Sequence, residues 1–511
     1  MRVIPLAMLL AAFPLSAPRR GQGVRTPVVV ASKPFGESYL LAEMFAQLLE
    51  ARGIPVERRP GMGATEILFA ALRTSAIDVY PEYTGTGLVA VLHETTDRAG
   101  VFRYVARRFA ELYGIRWLEP LGFENTYAVA VRKETAARFH LSSLSDLARA
   151  GTDLTAGFTA DFIGRADGLV GLTRVYGMRF RGVRPLAPAL KYQALASGAV
   201  DVIDGYSTDG LLDRFDLVTL ADDRGSFPPY DAAAVVSPRL IRDNPAAIAA
   251  LSTLSGRLDV KRMRTLNKRV EVDHEPVPTV AREALRDVLG TGAVAVSSQG
   301  TEALSRLAAL TARHLLLVAI ALLVAIGVAV PLGLVLERRR KAAEPLLAML
   351  GAFQTIPSIA LLAFMLPLLG VGVIPALVAL WLYALYPIAR ATYSGVRDAD
   401  PEAVEAAEAL GTTPLQRLLW VRLPLAVPGI MSGVRTAAVI TVGGATLAAF
   451  IGAGGLGEPI VEGLALADTR LILQGAIPAA VLAFLVDGGL ALVERALRPA
   501  HLKARGPAAA H

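Results

Sequence analysis

The sequence predicts a chain of two structural classes, an N-terminal α/β domain followed by an all-α polytopic membrane domain of five helices. Three observations support this prediction. Of the 511 residues 53% are hydrophobic, yet long apolar runs begin only after about residue 314. Before about residue 299, short apolar runs alternate with stretches of helical spacing. Arg and Lys gather beside the long apolar runs, as they do at the cytoplasmic ends of membrane helices.

Four segments follow from this pattern: a signal-like segment (1–23), an extracytoplasmic domain (24–299), a short linker (300–313) and a membrane domain (314–511). The first segment begins Met1-Arg2 and continues as an apolar run, which resembles a secretory signal with a thin positive start. Its cleavage and its retention as an anchor both remain open. In either case we expect the next domain to lie outside the cytoplasm.

Short strands and helices alternate in the extracytoplasmic domain. Val28–Ala31 has the pattern of a buried strand, and residues 39–51 have apolar side chains at helical spacing. A strand-like run at 54–58 and a helical run at 65–72 follow. This alternation predicts α/β layers with mainly parallel sheets.

Five apolar runs of the membrane domain are close to the roughly 20 residues that cross a bilayer as a helix: 315–336, 346–369, 374–392, 430–451 and 471–493. With the N-terminal domain outside, the basic run 338–341, the polar loop 393–425 and the basic tail fall inside. The outer connections hold almost no basic residue except Arg470. This distribution places the loop 393–425 on the cytoplasmic face.

Three features interrupt the apolar runs. Residues 354–358, Gln-Thr-Ile-Pro-Ser, predict a kink that either lines a pathway or packs at a dimer seam. Asp487 lies within the fifth run, where a carboxylate is expected to face a protein interior or a partner rather than lipid. Residues 452–457 match G-x-G-x-x-G, but they follow a membrane helix, so they predict a tight turn at the outer surface and no dinucleotide site.

The polar loop has a helical pattern of its own. Residues 402–410 are rich in Ala, Glu and Leu, and Gly411 predicts the end of that helix. Pro414 predicts the start of a second short helix. We expect Pro424 and Pro428 to break the chain again before the next apolar run.

The same loop resembles the EAA loop of ABC importer permeases. It reads Glu-Ala-Ala, three residues, Gly, nine residues, then Val-x-Leu-Pro, with Val421 at the position of the family's Ile. The resemblance implies a cytoplasmic helix that docks on a separate ATPase subunit. It marks these residues as ATPase-coupling: Glu405, Ala406, Ala407, Gly411, Leu423 and Pro424. No G-x-x-x-x-G-K-[ST] occurs in the chain, so ATP hydrolysis is expected from that partner.

Four tyrosines of the extracytoplasmic domain lie in polar segments marked by Gly or Pro, near the ends of apolar runs: Tyr83, Tyr127, Tyr206 and Tyr230. An isolated tyrosine usually packs half-buried. Four tyrosines in such similar settings favour one shared binding site.

The segments around these tyrosines resemble the glycine betaine/carnitine/choline-binding proteins of ABC importers. The resemblance runs from Ala-Ser-Lys-Pro-Phe at 31–35 through 81–87 to Phe-Pro-Pro-Tyr at 227–230. It implies a two-lobed, periplasmic-binding-protein-like domain whose four tyrosines form an aromatic cage. A trimethylammonium group has no hydrogen-bond donor, so it is attracted by the faces of aromatic rings.

A second anchor is needed for a solute's carboxylate or hydroxyl, and the sequence offers Ser32, Thr84, Thr86 and Asn125. Thr86 matches a polar contact of the family. Relatives that take choline or carnitine often have Gln where this chain has Ser38, and Pro34 and Gly36 also replace bulkier polar residues. Glycine betaine, carnitine, choline, proline betaine and ergothioneine therefore all remain possible solutes.

The charge distribution and the cysteine count help to decide which other functions the chain could have. The net charge of +7 is concentrated beside membrane runs, which indicates topology and no nucleic-acid partner. The chain has no cysteine and hence no disulfide. We expect a non-enzymatic importer subunit in a bacterial inner membrane, paired as a homodimer, without metal or cofactor. Two alternatives are a ligand-gated channel, which would need a re-entrant selectivity loop, and a solute sensor that does not transport.

Overall fold

The computed structural model describes residues 26–94, 100–186, 188–290, 299–466 and 468–497. The signal-like segment 1–23 lies outside the described residues. The described part has the predicted fold class, a two-lobed α/β domain followed by a helical membrane domain.

The described strands are β1 (Val28–Ala31), β2 (Val56–Arg59), β3 (Val79–Tyr83), β4 (Arg116–Trp117), β5 (Tyr127–Arg132), β6 (Thr155–Phe158), β7 (Gly182–Pro185), β8 (Val202–Tyr206), β9 (Leu217–Leu220) and β10 (Ala232–Val236). The helices of the same domain are α1 (Gly36–Ala51), α2 (Thr65–Arg73), α3 (Thr84–Thr86), α4 (Val101–Tyr113), α5 (Lys133–Phe139), α6 (Leu144–Ala150), α7 (Ala160–Gly164), α8 (Leu169–Tyr176), α9 (Pro188–Ala196), α10 (Leu211–Arg214), α11 (Pro238–Asp243), α12 (Pro245–Ser252), α13 (Val260–Glu271) and α14 (Val277–Leu289).

Each lobe is built on a sheet of five strands. The order is β2-β1-β3-β10-β4 in lobe 1 and β7-β6-β8-β5-β9 in lobe 2. The prediction of mainly parallel sheets holds only for part of each sheet. β1 pairs parallel with β2 and β3, and β6 pairs parallel with β7 and β8. However, β10 pairs antiparallel with β3 and β4, and β5 pairs antiparallel with β8 and β9. The physical reason is the connection between lobes: β5 and β10 each follow a crossover and enter their sheet from the hinge side, against the direction of β8 and β3.

Two crossovers join the lobes and pair with one another. The Leu121 amide donates to Ala232 O at 2.8 Å, and the Ala232 amide donates to Phe123 O at 3.1 Å. Farther along, the Asn125 amide donates to Tyr230 O at 3.0 Å. Because two paired backbone segments bend more easily together than a packed core, this ribbon is the hinge of the domain.

One apolar core lies under α1 and α14 in lobe 1 and continues into lobe 2.

The helices of the membrane domain are α15 (Gln299–Arg338), α16 (Arg340–Thr355), α17 (Ser358–Leu369), α18 (Val373–Arg397), α19 (Pro401–Ala409), α20 (Pro414–Arg417), α21 (Leu423–Leu447), α22 (Gly457–Ala465) and α23 (Thr469–Leu497). Within the described residues four helical segments are long and apolar enough to cross a membrane, or five if the bent pair α16–α17 counts as one span. The segment 300–313, which we assigned to a linker, is helical and continuous with the first span.

The predicted kink at 354–358 is present. The axes of α16 and α17 differ by 93°. The side-chain amide of Gln354 donates to Tyr383 O at 2.9 Å, and the Tyr383 hydroxyl donates to Ile356 O. The Gln354 amide and the Ile356 carbonyl are therefore satisfied by Tyr383 of α18 in the same chain. Asp487 also faces protein, since both of its oxygens accept from Arg435 of α21 at 2.8 Å.

The chain does not break at Pro424 and Pro428, so that prediction is wrong. A π-helical turn at Leu418–Arg422 connects α20 to α21, and both prolines lie within the continuous helix that follows. The wider π turn shifts the hydrogen-bond register just before the first proline, which relieves the clash a proline ring makes with the preceding turn. The loop therefore runs directly into a membrane span.

The α/β domain contacts the membrane domain beside the turn at 452–457. The predicted tight turn at 452–457 is confirmed by positive φ angles at three glycines, including 75° at Gly452. A Cβ added at Gly452 would lie 2.9 Å from Cε of Met62 in lobe 1. Nearby, Arg306 of α15 pairs with Glu462 of α22 at 3.2 Å, and burial raises the pKa of the Glu458 carboxyl to about 7.

Candidate functional site

The four predicted cage tyrosines all lie where the sheets meet the hinge. Tyr83 is the last residue of β3, Tyr206 is the last of β8, and Tyr127 is the first of β5. Tyr127 and Tyr206 are directly opposite in the antiparallel register. Tyr230 lies in the second crossover, two residues before β10. The sheet ends of both lobes thus present tyrosines toward one region.

Three of the rings are in contact. Tyr127 stacks on Tyr206 with ring centroids 5.3 Å apart and meets Tyr230 edge-on at 5.6 Å. Phe227 lies 5.4 Å from Tyr127 and extends the aromatic surface. Tyr83 lies across the hinge in lobe 1, where its nearest aromatic neighbour is Phe35 at 6.3 Å. The structure therefore brings Tyr127, Tyr206 and Tyr230 into one cluster and places Tyr83 on the facing lobe.

Gly85 brings the Tyr83 segment close to Tyr230. A Cβ added at Gly85 would lie 2.5 Å from Cε1 of the Tyr230 ring, closer than real Cβ contacts. The neighbouring Thr84 hydroxyl donates to Pro229 O at 2.8 Å and accepts from the Asp231 amide at 2.9 Å. This segment is therefore locked to the crossover that carries Tyr230.

Gly85→Ala is expected to weaken solute binding about 10-fold or more, because the added methyl must displace the Tyr230 ring. Titration calorimetry on the full chain in detergent measures the change. Gly182→Ala is the matched control, since a Cβ at Gly182 in β7 meets no atom within 4 Å. Equal affinity in the two variants would contradict a role for Tyr230 in binding.

Two of the four tyrosine hydroxyls are held by buried acids. The Tyr230 hydroxyl donates to Asp167, and the Tyr83 hydroxyl donates to Oε1 of Glu37 at 2.6 Å. Burial raises the pKa of all four cage tyrosines above the usual value. The rings therefore remain neutral phenols at neutral pH, with their faces free of competing negative charge on oxygen.

Three basic side chains lie near the faces of the rings. The Arg165 guanidinium carbon is 6.0 Å from the centroid of Tyr127, and Lys191 Nζ is 5.5 Å from that of Tyr206. Lys33 Nζ is 5.7 Å from that of Tyr83. Each cation is paired with a carboxylate: Glu82 for Lys33 at 2.6 Å, Asp167 for Arg165 at 2.6 Å and Asp204 for Lys191 at 3.4 Å. Three ion pairs are thus fixed with their cations within about 6 Å of three of the rings.

The predicted second anchors lie around the same region, but several hold the protein itself. The buried Ser32 hydroxyl accepts from the Gly61 amide at 2.9 Å. The Asn125 side-chain amide donates to Glu37 at 2.8 Å, while Thr86 is buried in α3 beside Tyr83. Ser38, at the position where relatives often have Gln, accepts from the Lys33 amide at 2.9 Å. Contact of these residues with a solute stays a prediction.

Sequence reasoning missed the charged residues of the site. Glu37 and Arg165 sit among polar or apolar neighbours with no motif that distinguishes them from surface charges. Lys33 lies in the Ala-Ser-Lys-Pro-Phe segment at 31–35, but the sequence assigned it no role. One signal was available for Glu37. It lies in the first turn of a helix whose other residues are mostly apolar, where a lone carboxylate is either exposed at the helix N-terminus or buried with partners.

The predicted coupling residues lie in the loop formed by α19, α20 and the start of α21, which we call the α19 knob. Glu405 and Ala406 are exposed on α19, Ala407 faces inward, and Gly411 ends the helix with a φ of 76°. Leu423 and Pro424 are partly buried at the start of α21. Large apolar side chains stand exposed on the same loop: Leu410, Leu415, Leu419 and Trp420. Exposed apolar side chains of this kind mark a surface that contacts another protein or the membrane.

Comparison with known proteins agrees with this architecture. Residues 26–287 match the family described as the substrate binding domain of ABC-type glycine betaine transport systems. Residues 329–499 match the binding-protein-dependent transport system inner membrane component. The choline transport system permease protein OpuBB of Bacillus subtilis (strain 168) is 45% identical over 193 residues, which are 38% of this chain and 89% of that protein.

Two further relatives are each similar to about half of this chain. The ergothioneine transport permease/ergothioneine binding protein EgtU of Helicobacter pylori (strain G27) is 34% identical over 260 residues, 51% of this chain and 47% of that protein. The glycine-betaine-binding protein of Pseudomonas aeruginosa (strain PAO1) is 34% identical over 271 residues, 50% of this chain and 86% of that protein.

Binding and permease components of an ABC transporter imply a partner ATPase and a small solute, and the apolar helices indicate a multi-pass membrane protein. The chain belongs to the family of ABC-type glycine betaine transport systems, and it carries the substrate-binding domain and the inner membrane component in one polypeptide.

Proposed function

We propose that this chain is the receptor and permease of an importer for a small quaternary ammonium solute that also carries a carboxylate, such as glycine betaine. The observation that carries the proposal is the cluster in which Tyr127 stacks on Tyr206 and meets Tyr230 edge-on, at the hinge ends of the sheets. Tyr83 on the facing lobe supplies the fourth ring when the lobes enclose a solute.

The chemistry of the cluster suits a trimethylammonium group. Such a cation is weakly hydrated and cannot donate hydrogen bonds, so an electron-rich ring face is its best partner. A desolvated face contributes about 1–2 kcal/mol, and four faces together reach micromolar affinity. The buried, neutral tyrosines provide such faces.

The cations beside the rings favour a solute with a carboxylate. Arg165 and Lys33 lie on opposite lobes, each near a cage ring and each held by a carboxylate of the protein. In glycine betaine the carboxylate is two bonds from the nitrogen, so it would lie near these cations when the ammonium is in the cage. Choline has a neutral hydroxyl there and gains less from fixed positive charge.

In the membrane, two copies of the chain pair as a homodimer, each with its binding domain on the extracytoplasmic side. The lobes close over the solute, and a cytoplasmic ATPase docks on the α19 knob. ATP binding to that partner then switches the permease between inward and outward access, and the chain performs no catalysis of its own. The basic residues near α19 and the exposed apolar side chains of its loop support this orientation.

Calorimetry on the full chain in detergent tests the proposal, with glycine betaine, proline betaine, carnitine, choline and ergothioneine as ligands. We expect micromolar binding of a carboxylate-bearing betaine and weaker binding of choline. The matched ligand control is 3,3-dimethylbutanoate, which has the shape of glycine betaine with carbon in place of the charged nitrogen. If that isostere binds as tightly as glycine betaine, the cage does not recognise a cation and the proposal fails.

Ergothioneine is the second candidate solute. It combines a trimethylammonium group and a carboxylate with an imidazole-derived ring, so it satisfies the same cage and cations. The relative from Helicobacter pylori, whose name describes a fused permease and binding protein for this compound, favours it. The same titration distinguishes the two candidates by their affinities.

A further inference from the structure

Glu37 is a buried carboxylate that accepts hydrogen bonds from several parts of the binding domain. Glu37 lies at the start of α1, and only 2% of its surface is exposed to solvent. A buried carboxylate is stable only where hydrogen-bond donors replace its lost water. Burial raises the pKa of the Glu37 carboxyl above the usual value, while donors from its neighbours act in the opposite direction.

The donors to Glu37 come from three separate parts of the domain. Oε1 accepts from the Tyr83 hydroxyl at 2.6 Å and from the Asn125 side-chain amide at 2.8 Å. Oε2 accepts from the Asn267 side-chain amide at 2.7 Å. One carboxylate therefore joins a cage ring, the hinge and α13.

Asn267 extends the network to the other lobe. Its side-chain nitrogen also donates to Thr208 O at 3.0 Å, two residues after the cage residue Tyr206. Helix α13 belongs to lobe 1, where it packs against α1 and α14. The bond from Asn267 to Thr208 thus connects the two lobes, and it can form only when lobe 2 lies against α13.

The backbone at 207–210 packs closely against α13, which allows the bond between Asn267 and Thr208 to form. Arg264, one turn before Asn267 on α13, donates to Ser207 O at 2.7 Å. A Cβ added at Gly210 would lie 2.6 Å from Cα of Lys268. The helix and the segment after Tyr206 therefore approach as closely as backbones allow.

We propose that Glu37 is a positioning residue for solute capture, because its carboxylate orients the Tyr83 ring and holds the Asn267 amide in place to bond Thr208 when the lobes close. The proposal rests on the proposed function, since it assigns Tyr83 and Tyr206 to the solute. Glu37, Asn267 and Thr208 then act together, because one carboxylate fixes both the ring on one lobe and the strand end on the other.

A leucine at position 37 can make none of these contacts. It removes the acceptor that Tyr83, Asn125 and Asn267 share. The Asn267 amide is then no longer held in place to bond Thr208, and the Tyr83 hydroxyl loses its partner.

The experiment compares the full-length wild-type chain, E37L and the double variant E37Q/N267D. In the double variant the new carboxylate at position 267 accepts from the new amide at position 37. This restores the contact within lobe 1 at unchanged net charge, but a carboxylate cannot donate to Thr208. Radiolabelled glycine betaine is bound in detergent and chased with unlabelled solute. We expect both variants to release it about 10–100-fold faster than wild type, with association rates within about twofold.

E43Q is the matched control, because Glu43 lies on the same helix and pairs with Arg58 at 2.8 Å away from the cage. It should release the solute at the wild-type rate. Wild-type release by E37L or by the double variant would overturn the proposal, since neither the Glu37 carboxylate nor the bond between the lobes would then have an effect. If E37L does not fold, Asn267→Ser tests the same bond and should also speed release. A wild-type chain that binds no betaine would overturn the proposed function instead.

Discussion

Replacing Tyr83 and Tyr206 together by alanine is expected to lower the affinity for glycine betaine by about 100- to 1000-fold, the largest effect of any change in the binding domain. The two rings end the central strands of the two lobes, so the double variant removes one face from each side of the solute. At about 1.5–2 kcal/mol for each desolvated face, the loss amounts to about 3–4 kcal/mol.

Two control variants show whether the loss of affinity comes from the missing ring faces or from another effect of the substitutions. Tyr206→Phe keeps the face and should bind within about threefold of wild type. Tyr113→Ala removes a tyrosine that packs on Phe69 in lobe 1, 4.9 Å away and outside the cage, and should leave affinity unchanged. Calorimetry on the full chain gives the affinities, and thermal unfolding shows whether each variant is folded. Wild-type affinity in the double variant would mean that the tyrosines are structural.

Leu410→Arg is expected to reduce ATP-driven uptake to background while solute affinity stays at the wild-type value. Leu410 is 85% exposed at the end of α19, and Trp420 on the same loop is 66% exposed. A large apolar side chain at the centre of a docking surface accounts for much of its binding energy, and a buried unpaired charge there is strongly unfavourable. The variant should therefore lose its ATPase partner without affecting the receptor.

Leu112→Arg is the matched control for this prediction. Leu112 is also an exposed leucine on a helix, 50% exposed on α4 of the binding domain, far along the chain from the cytoplasmic loop. It should leave uptake and co-purification of the ATPase intact. Uptake is measured in vesicles that contain the chain and its ATPase, with ATP enclosed. If Leu410→Arg transports at the wild-type rate, the knob is not the coupling surface.

The positions of the cage tyrosines could be anticipated from sequence because each ends or begins a short apolar run. An apolar strand that stops at a polar, Gly-rich segment places its last residue at the edge of a sheet, where sites usually form. The pairing of Tyr127 with Tyr206 could not be anticipated. It depends on antiparallel register between β5 and β8, and that register follows from the way the chain enters lobe 2 from the hinge.

The hydrogen-bond network of Glu37 could not be predicted from the sequence, for a different reason. Its donors Tyr83, Asn125 and Asn267 are 46, 88 and 230 residues away along the chain. No local pattern encodes such contacts, because a buried carboxylate and an exposed one look alike in sequence. The coupling loop is the opposite case. Its helix, its Gly411 stop and its second helix are local features, and only the prolines were misread, since a π turn accommodates them.

The continuous helix from Gln299 to Arg338 has a consequence for the kinetics of uptake. A receptor that diffuses freely must find its permease, so the rate of transport depends on how much receptor is present and on how loaded and empty copies compete. Here the helix keeps one receptor beside each permease at an effective concentration in the millimolar range, whatever the amount of protein in the membrane. Uptake per transporter should then follow the solute occupancy of the two receptors that its two copies of the chain carry, and it should be unaffected by dilution.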